Sequence, residues 1–113
     1  MHEAAVKAGL WVSAQVRMCD INAMPAVVSR RGDPDAGSIL LRLDRLDGHS
    51  VVLSQARDAD GRRCWLMATG SEPVPDMEAS AYIERRVKSD PDLWVVEIED
   101  RHARYEPDAP IIV

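Results

Sequence analysis

Residues 26–46, AVVSRRGDPDAGSILLRLDRL, constrain the fold more than any other stretch, because apolar alternation flanks a concentrated turn signal. Val27 and Val28 open one strand, and Ile39, Leu41 and Leu43 place apolar groups at period two along a second. Between them stand Gly32, Asp33, Pro34, Asp35 and Gly37. Proline fixes its own φ, aspartates can bond back onto nearby N–H groups, and glycine at position 37 can take a positive φ without a Cβ clash. The spacing predicts two strands around a tight turn.

The flanking segments extend this pattern. Residues 8–23 read as a helix carrying two apolar stripes, Leu10/Ala14/Met18/Ile21 and Val12/Val16/Cys19/Ala23, and Pro25 stops it. So broad an apolar surface suggests a helix pressed into a sheet. Strands are expected at 26–31, 38–46, 50–56 and 62–69 as a meander, with Asp47-Gly48 and Asp60-Gly61 as hairpin turns. A second helix at 75–88 carries acidic residues in its first turn and basic ones in its last, as the helix dipole favours. A last strand at 93–100 points Trp94, Val96 and Ile98 inward. The expected fold is α+β, one domain over residues 1–113 in the order α-β-β-β-β-α-β. Its sheet is mostly antiparallel with two helices packed on one face, and residues 1–8 and 101–113 are less ordered termini. Ile111, Ile112 and Val113 follow a proline-bearing spacer and could cover a sheet edge of this chain or of a neighbour, the alternative being a frayed terminus with no role.

Composition narrows the function classes. Fourteen basic residues against nineteen acidic give a net charge of −5, which opposes a polyanionic partner. Cys19 and Cys64 stand far apart without a CxxC pairing, so two reduced, buried thiols and a cytoplasmic location are expected. No export signal is expected from the first residues, and no apolar run approaches the ~20 residues that span a bilayer. Trp11, Trp65 and Trp94 each fall in a segment read as regular structure, so they are expected in the core.

Several phrases carry a family resemblance: LWV at 10–12, PAVVSRRGDPDAG at 25–37, RLDG at 45–48, EPVP at 72–75 and DPDLWVVEIED at 90–100. The chain resembles a family of small bacterial proteins catalogued only as a domain of unknown function. That resemblance implies a compact α+β domain and brings no activity, cofactor or catalytic residue with it.

Candidate chemistry is sparse. Arg31-Gly32-Asp33 is explained by a turn. Asp58-Ala59-Asp60-Gly61 lacks the spacing of a calcium loop, with glycine fourth and Thr69 in the twelfth place. His2, His49 and His102 are scattered, so no zinc site or histidine triad is indicated. Asp44, Glu97 and Glu99, with Arg42, are expected on the wetter sheet face and are the candidate binding residues. Solvated cross-strand pairs explain the same residues. The arginine pairs 30–31, 62–63 and 85–86 put only one side chain per face where they lie in a strand, and no phosphate-cradling glycine loop is present. The sequence therefore favours a non-enzymatic module that binds another protein or a copy of itself, with no metal and no cofactor. The alternatives are a small carboxylate-based, metal-assisted enzyme on a polar substrate, and a weak nucleic-acid binder acting through its arginines.

Overall fold

The structure is a computed structural model that describes residues 6–112. His2 and Val113 lie outside the described residues. Helix α1 (Ala8–Ile21) is followed by β1 (Ala26–Arg30), β2 (Ile39–Asp44), β3 (His49–Arg57) and β4 (Arg63–Met67). After a short strand β5 (Val74–Pro75) come α2 (Asp76–Ser89), β6 (Trp94–Glu99) and a second short strand, β7 (Ile111–Ile112). The main elements keep the expected order, and the two short strands are additional. Together they form one α+β domain.

The strands join in the order β1-β6-β2-β3-β4-β7, with β5 added to β3. β2 and β6 run parallel, as do β4 and β7, while the other ladders are antiparallel. The sheet is therefore mixed rather than mostly antiparallel. The expected hairpin between the first two strands does not form, because β6 lies between them. Residues 31–38 wrap over the start of β6 instead. The Asp33 N–H donates to the Asp92 carbonyl at 3.0 Å, and the Trp94 N–H donates to the Ser38 carbonyl at 2.9 Å. The Trp94 indole N–H donates to the Asp33 carbonyl at 2.7 Å. As expected, Asp33 also folds back on its own turn, accepting from the Ala36 N–H at 2.7 Å. Gly37 serves a different purpose from the one its position suggests. Its φ is not positive, whereas those of Gly48, Gly61 and Gly70 are. A Cβ at Gly32 or Gly37 would lie under 3.0 Å from the Asp92 carbonyl oxygen, so these two glycines supply room for the loop to meet β6.

The two helices sit on opposite faces of the sheet, correcting the expectation of one face. α1 packs Trp11, Val12 and Cys19 against Ile39, Leu41, Leu43, Trp65, Trp94, Val96 and Ile98. α2 packs Ala79, Tyr82, Ile83 and Val87 against Leu40, Val52 and Val95. The physical reason is that the central strands are apolar on both sides, as in Ile39-Leu40-Leu41 and Trp94-Val95-Val96, and each face needs a cover. All three tryptophans are buried, with the Trp11 and Trp65 rings 5.4 Å apart. Only one of the two apolar stripes on α1 reaches the sheet; Leu10, Met18 and Ile21 face outward.

The segment after β6 is held to the body at several points. The Trp11 indole N–H donates to Asp108 at 2.9 Å, and Arg63 pairs with the same carboxylate oxygen at 2.6 Å. Tyr105 donates its hydroxyl to Gln15 at 2.8 Å. β7 then lies along β4 of its own chain, with Trp65 beside Ile111 and Leu66 beside Ile112. Ending the chain at Glu106 removes Asp108, β7 and the Pro110 carbonyl that accepts the Trp65 N–H at 2.8 Å. We expect that truncation to lower stability by about 2 kcal/mol, read as a shift in the urea midpoint. An unchanged midpoint would show that the tail adds nothing to the fold.

Candidate functional site

β1 ends the strand order, so among the described residues one of its edges has no neighbouring strand. Its backbone groups can be assigned to sides. The Glu99 N–H donates to the Pro25 carbonyl at 2.9 Å. Hydrogen-bonded pairs alternate along an antiparallel ladder, and Val27 faces Glu97 while Ala26 and Val28 face Ile98 and Val96. Ala26 and Val28 therefore turn their N–H and C=O groups toward the open side. Val27 is 61% exposed and Val28 37% exposed. A shift in register between Val28 and Arg30 bends the strand beyond this point.

A groove of about 390 Å³ runs beside this edge, between β1 and α1. Val12, Ser13 and Val16 form its helix wall, Val28 its strand wall, and Trp94 and Arg31 one end. The Arg31 guanidinium lies 5.5 Å from the centroid of the Trp94 ring. Neighbouring Arg30 turns the other way and donates to the Leu93 carbonyl at 2.7 Å.

The four residues singled out from the sequence share one face, the one that α2 covers. Arg42 stands beside Glu97, and Asp44 beside Glu99, across the parallel β2–β6 ladder. Arg42 is engaged internally, donating to Ser50 Oγ (3.3 Å), Ser80 Oγ (2.8 Å) and the Asp76 carbonyl (3.1 Å). It also pairs with Asp76 at 3.6 Å and Glu97 at 3.8 Å, with its side chain only 13% exposed. Asp44 accepts from the Leu46 N–H at 2.8 Å, which shapes the β2–β3 turn. Glu99 is exposed. Sequence reasoning missed the β1 edge because it paired β1 with β2. The available signal was the eight-residue span 31–38, too long for a two-residue hairpin loop.

At the far end of β6, Asp100 is buried, and its carboxylate accepts from Arg45 (3.0 Å) and from the backbone N–H groups of Arg104 (2.7 Å) and Tyr105 (3.0 Å). Nearby Cys19 is buried and not in a disulfide, as is Cys64. Burial pushes the Cys19 thiol up, and the Asp100 charge adds to the effect. Tyr105 is pushed up far beyond the ordinary phenol range, chiefly by burial and then by Cys19 and Asp108. Both groups ionise in the unfolded chain before they do in the native one, so the native state holds more protons at alkaline pH. Stability from this source is intact below the ordinary thiol and phenol values and declines as pH rises through about 8.5 to 10 and beyond. Urea unfolding at pH 8 and at pH 10.5 should show the lower midpoint at the higher pH. Phenylalanine at Tyr105 should reduce that difference.

Among the described residues, no three histidine, cysteine, aspartate or glutamate side chains are grouped to hold a metal ion. No helix among them is long and apolar enough to cross a membrane. The model of a family described as a protein of unknown function, DUF1491, matches residues 6–106. The chain belongs to the DUF1491 family. A crystal structure of a DUF1491 family protein from Caulobacter crescentus is 35% identical, covers 96% of this chain and 100% of its own, and superposes with a TM-score of 0.86. An NMR structure of a DUF1491 protein from the same organism gives 34% identity over 98% and 100% of the two chains, with a TM-score of 0.83. The solution structure of Atu0922 from A. tumefaciens is 27% identical over 94% and 100%, with a TM-score of 0.75. No functionally curated protein matches the chain. The DUF1491 relatives share this architecture over their full length.

Proposed function

We propose that this DUF1491 protein is a docking module that binds another protein along β1. The observation that supports this reading is an open strand edge whose outward backbone groups adjoin an apolar groove. Adding a strand to such an edge gives affinity through main-chain hydrogen bonds, and the groove gives a place for side chains. Natural sheets usually blunt an exposed edge with charge, a bulge or a cover; on β1 the bulge and Arg30 come after Val28, which leaves the stretch from Ala26 to Val28 without such a device. On this reading Arg42, Asp44, Glu97 and Glu99 position α2 and the turns rather than hold a ligand, since Arg42 already uses its donors inside the protein. A reducing cytoplasm fits the unpaired, buried thiols.

The test is Val28→Pro. Proline is tolerated where an edge N–H points away from its sheet, so the variant should fold while losing the docking edge. The wild type, immobilised with a short cross-linker in a lysate of its source cells, should retain a partner that the proline variant does not. Equal capture by both proteins removes β1 as the docking element.

A further inference from the structure

Building on that docking reading, we infer that the occupant of the β1 edge is an extended acidic segment. It pairs with Ala26 and Val28, buries an apolar side chain between Val28 and α1, and gives a carboxylate to Arg31. Three observations carry this. First, Val28 faces the groove with Val12 and Val16, and its backbone groups point outward. A strand residue laid opposite Val28 turns its side chain to the same face of the sheet, so it enters the groove and meets apolar walls. Second, Arg31 ends the groove with no hydrogen bond or ion pair to any described residue, and its guanidinium lies over the face of Trp94. Stacking on an indole keeps the guanidinium in place while leaving its donors turned outward for a carboxylate. Third, the Arg31 guanidinium is an exposed positive charge at the end of the groove, so it favours an acidic segment there over a basic one.

The same facts weigh against a second copy as the occupant. Residues 24–31 contain no acidic residue, so β1 of another molecule, paired antiparallel, brings no carboxylate to Arg31 from its own strand. The spacing also defines the ligand: an apolar residue facing Val28, and an aspartate or glutamate two residues along on the same face, because the bulge in β1 brings Arg31 within two residues of a regular partner strand.

The experiment is selection from a phage-displayed library of random linear peptides against the folded full chain, with Arg31→Glu selected in parallel. The wild type should enrich peptides with an apolar residue and a carboxylate at that fixed spacing. The Arg31→Glu protein should enrich lysine or arginine at the same place. Selected peptides should bind about fivefold more weakly to Arg31→Gln, recover on Arg31→Lys, and lose binding to Val28→Pro. Thermal unfolding of each variant confirms that it is folded. Peptides that depend on Val28 but show no acidic preference would overturn this inference and leave the docking reading standing. Peptides indifferent to Val28→Pro, or no enrichment at all, overturn both. Sedimentation of the free wild type as a dimer that Val28→Pro breaks makes a second copy the occupant, which also overturns the acidic segment.

Discussion

Alanine at Gly32 or Gly37 should cost the fold about 3 kcal/mol or more, or prevent folding altogether. Each added Cβ would fall under 3.0 Å from the Asp92 carbonyl oxygen and from Trp94 Cδ1, and at Gly32 from the Leu93 carbonyl carbon as well. Backbone atoms of the segment that enters β6 cannot turn aside as a flexible side chain can. The loop or β6 must therefore shift, which strains the Asp33–Asp92 and Trp94–Ser38 hydrogen bonds. Gly9→Ala is the matched control. It adds the same methyl group within α1, where the nearest atom, the Pro34 carbonyl oxygen, is at an ordinary 3.4 Å. Replacing this first-turn glycine, whose φ is not positive, should leave stability unchanged or raise it by up to about 1 kcal/mol. Urea unfolding of the three variants tests the contrast. Midpoints for Gly32→Ala and Gly37→Ala close to wild type would show that the loop does not depend on this close approach.

Asp100→Ala should be comparably damaging, at about 3–5 kcal/mol, because it leaves a charge and two N–H groups without their acceptor. Arg45 would remain with its side chain 17% exposed and its carboxylate gone. The backbone N–H groups of Arg104 and Tyr105 would lose the acceptor that turns the chain back toward α1. Combining Asp100→Ala with Arg45→Met removes the stranded charge and should recover part of the loss. A double variant as unstable as the sum of its singles would place the damage in the turn rather than in the ion pair.

The strands and helices were legible because their signals are local. Alternation at Ile39, Leu41 and Leu43, the proline after α1, and the acidic start of α2 each act within a few residues. The arrangement of those elements was harder to read. Leu40, Val52 and Val95 interrupt the alternation with apolar groups on the other face, and that is the trace of a second helix layer. Arg42, alone among apolar neighbours, looked like the wet side of the sheet. It is instead a polar contact under α2, satisfied by Ser50, Ser80 and Asp76. The edge groove depends on which strand lies beside β1, a pairing between residues far apart in the chain. No window of sequence contains both halves of it.

That distance has a consequence for how the protein is made. Ser29 meets Val95 across 66 residues of chain, and among the described residues β1 pairs with β6 alone. During synthesis β1 and β2 leave the ribosome well before the strand that joins them. Until residues 94–99 emerge, only the β2–β3–β4 meander can close through short loops, and β1 waits with both edges bare. Contacts so far apart in sequence slow folding and lengthen the exposure of the apolar pair Val27-Val28. A nascent chain arrested before Trp94 should therefore be more vulnerable to aggregation and proteolysis than one arrested after Asp100, where β1 has gained its partner.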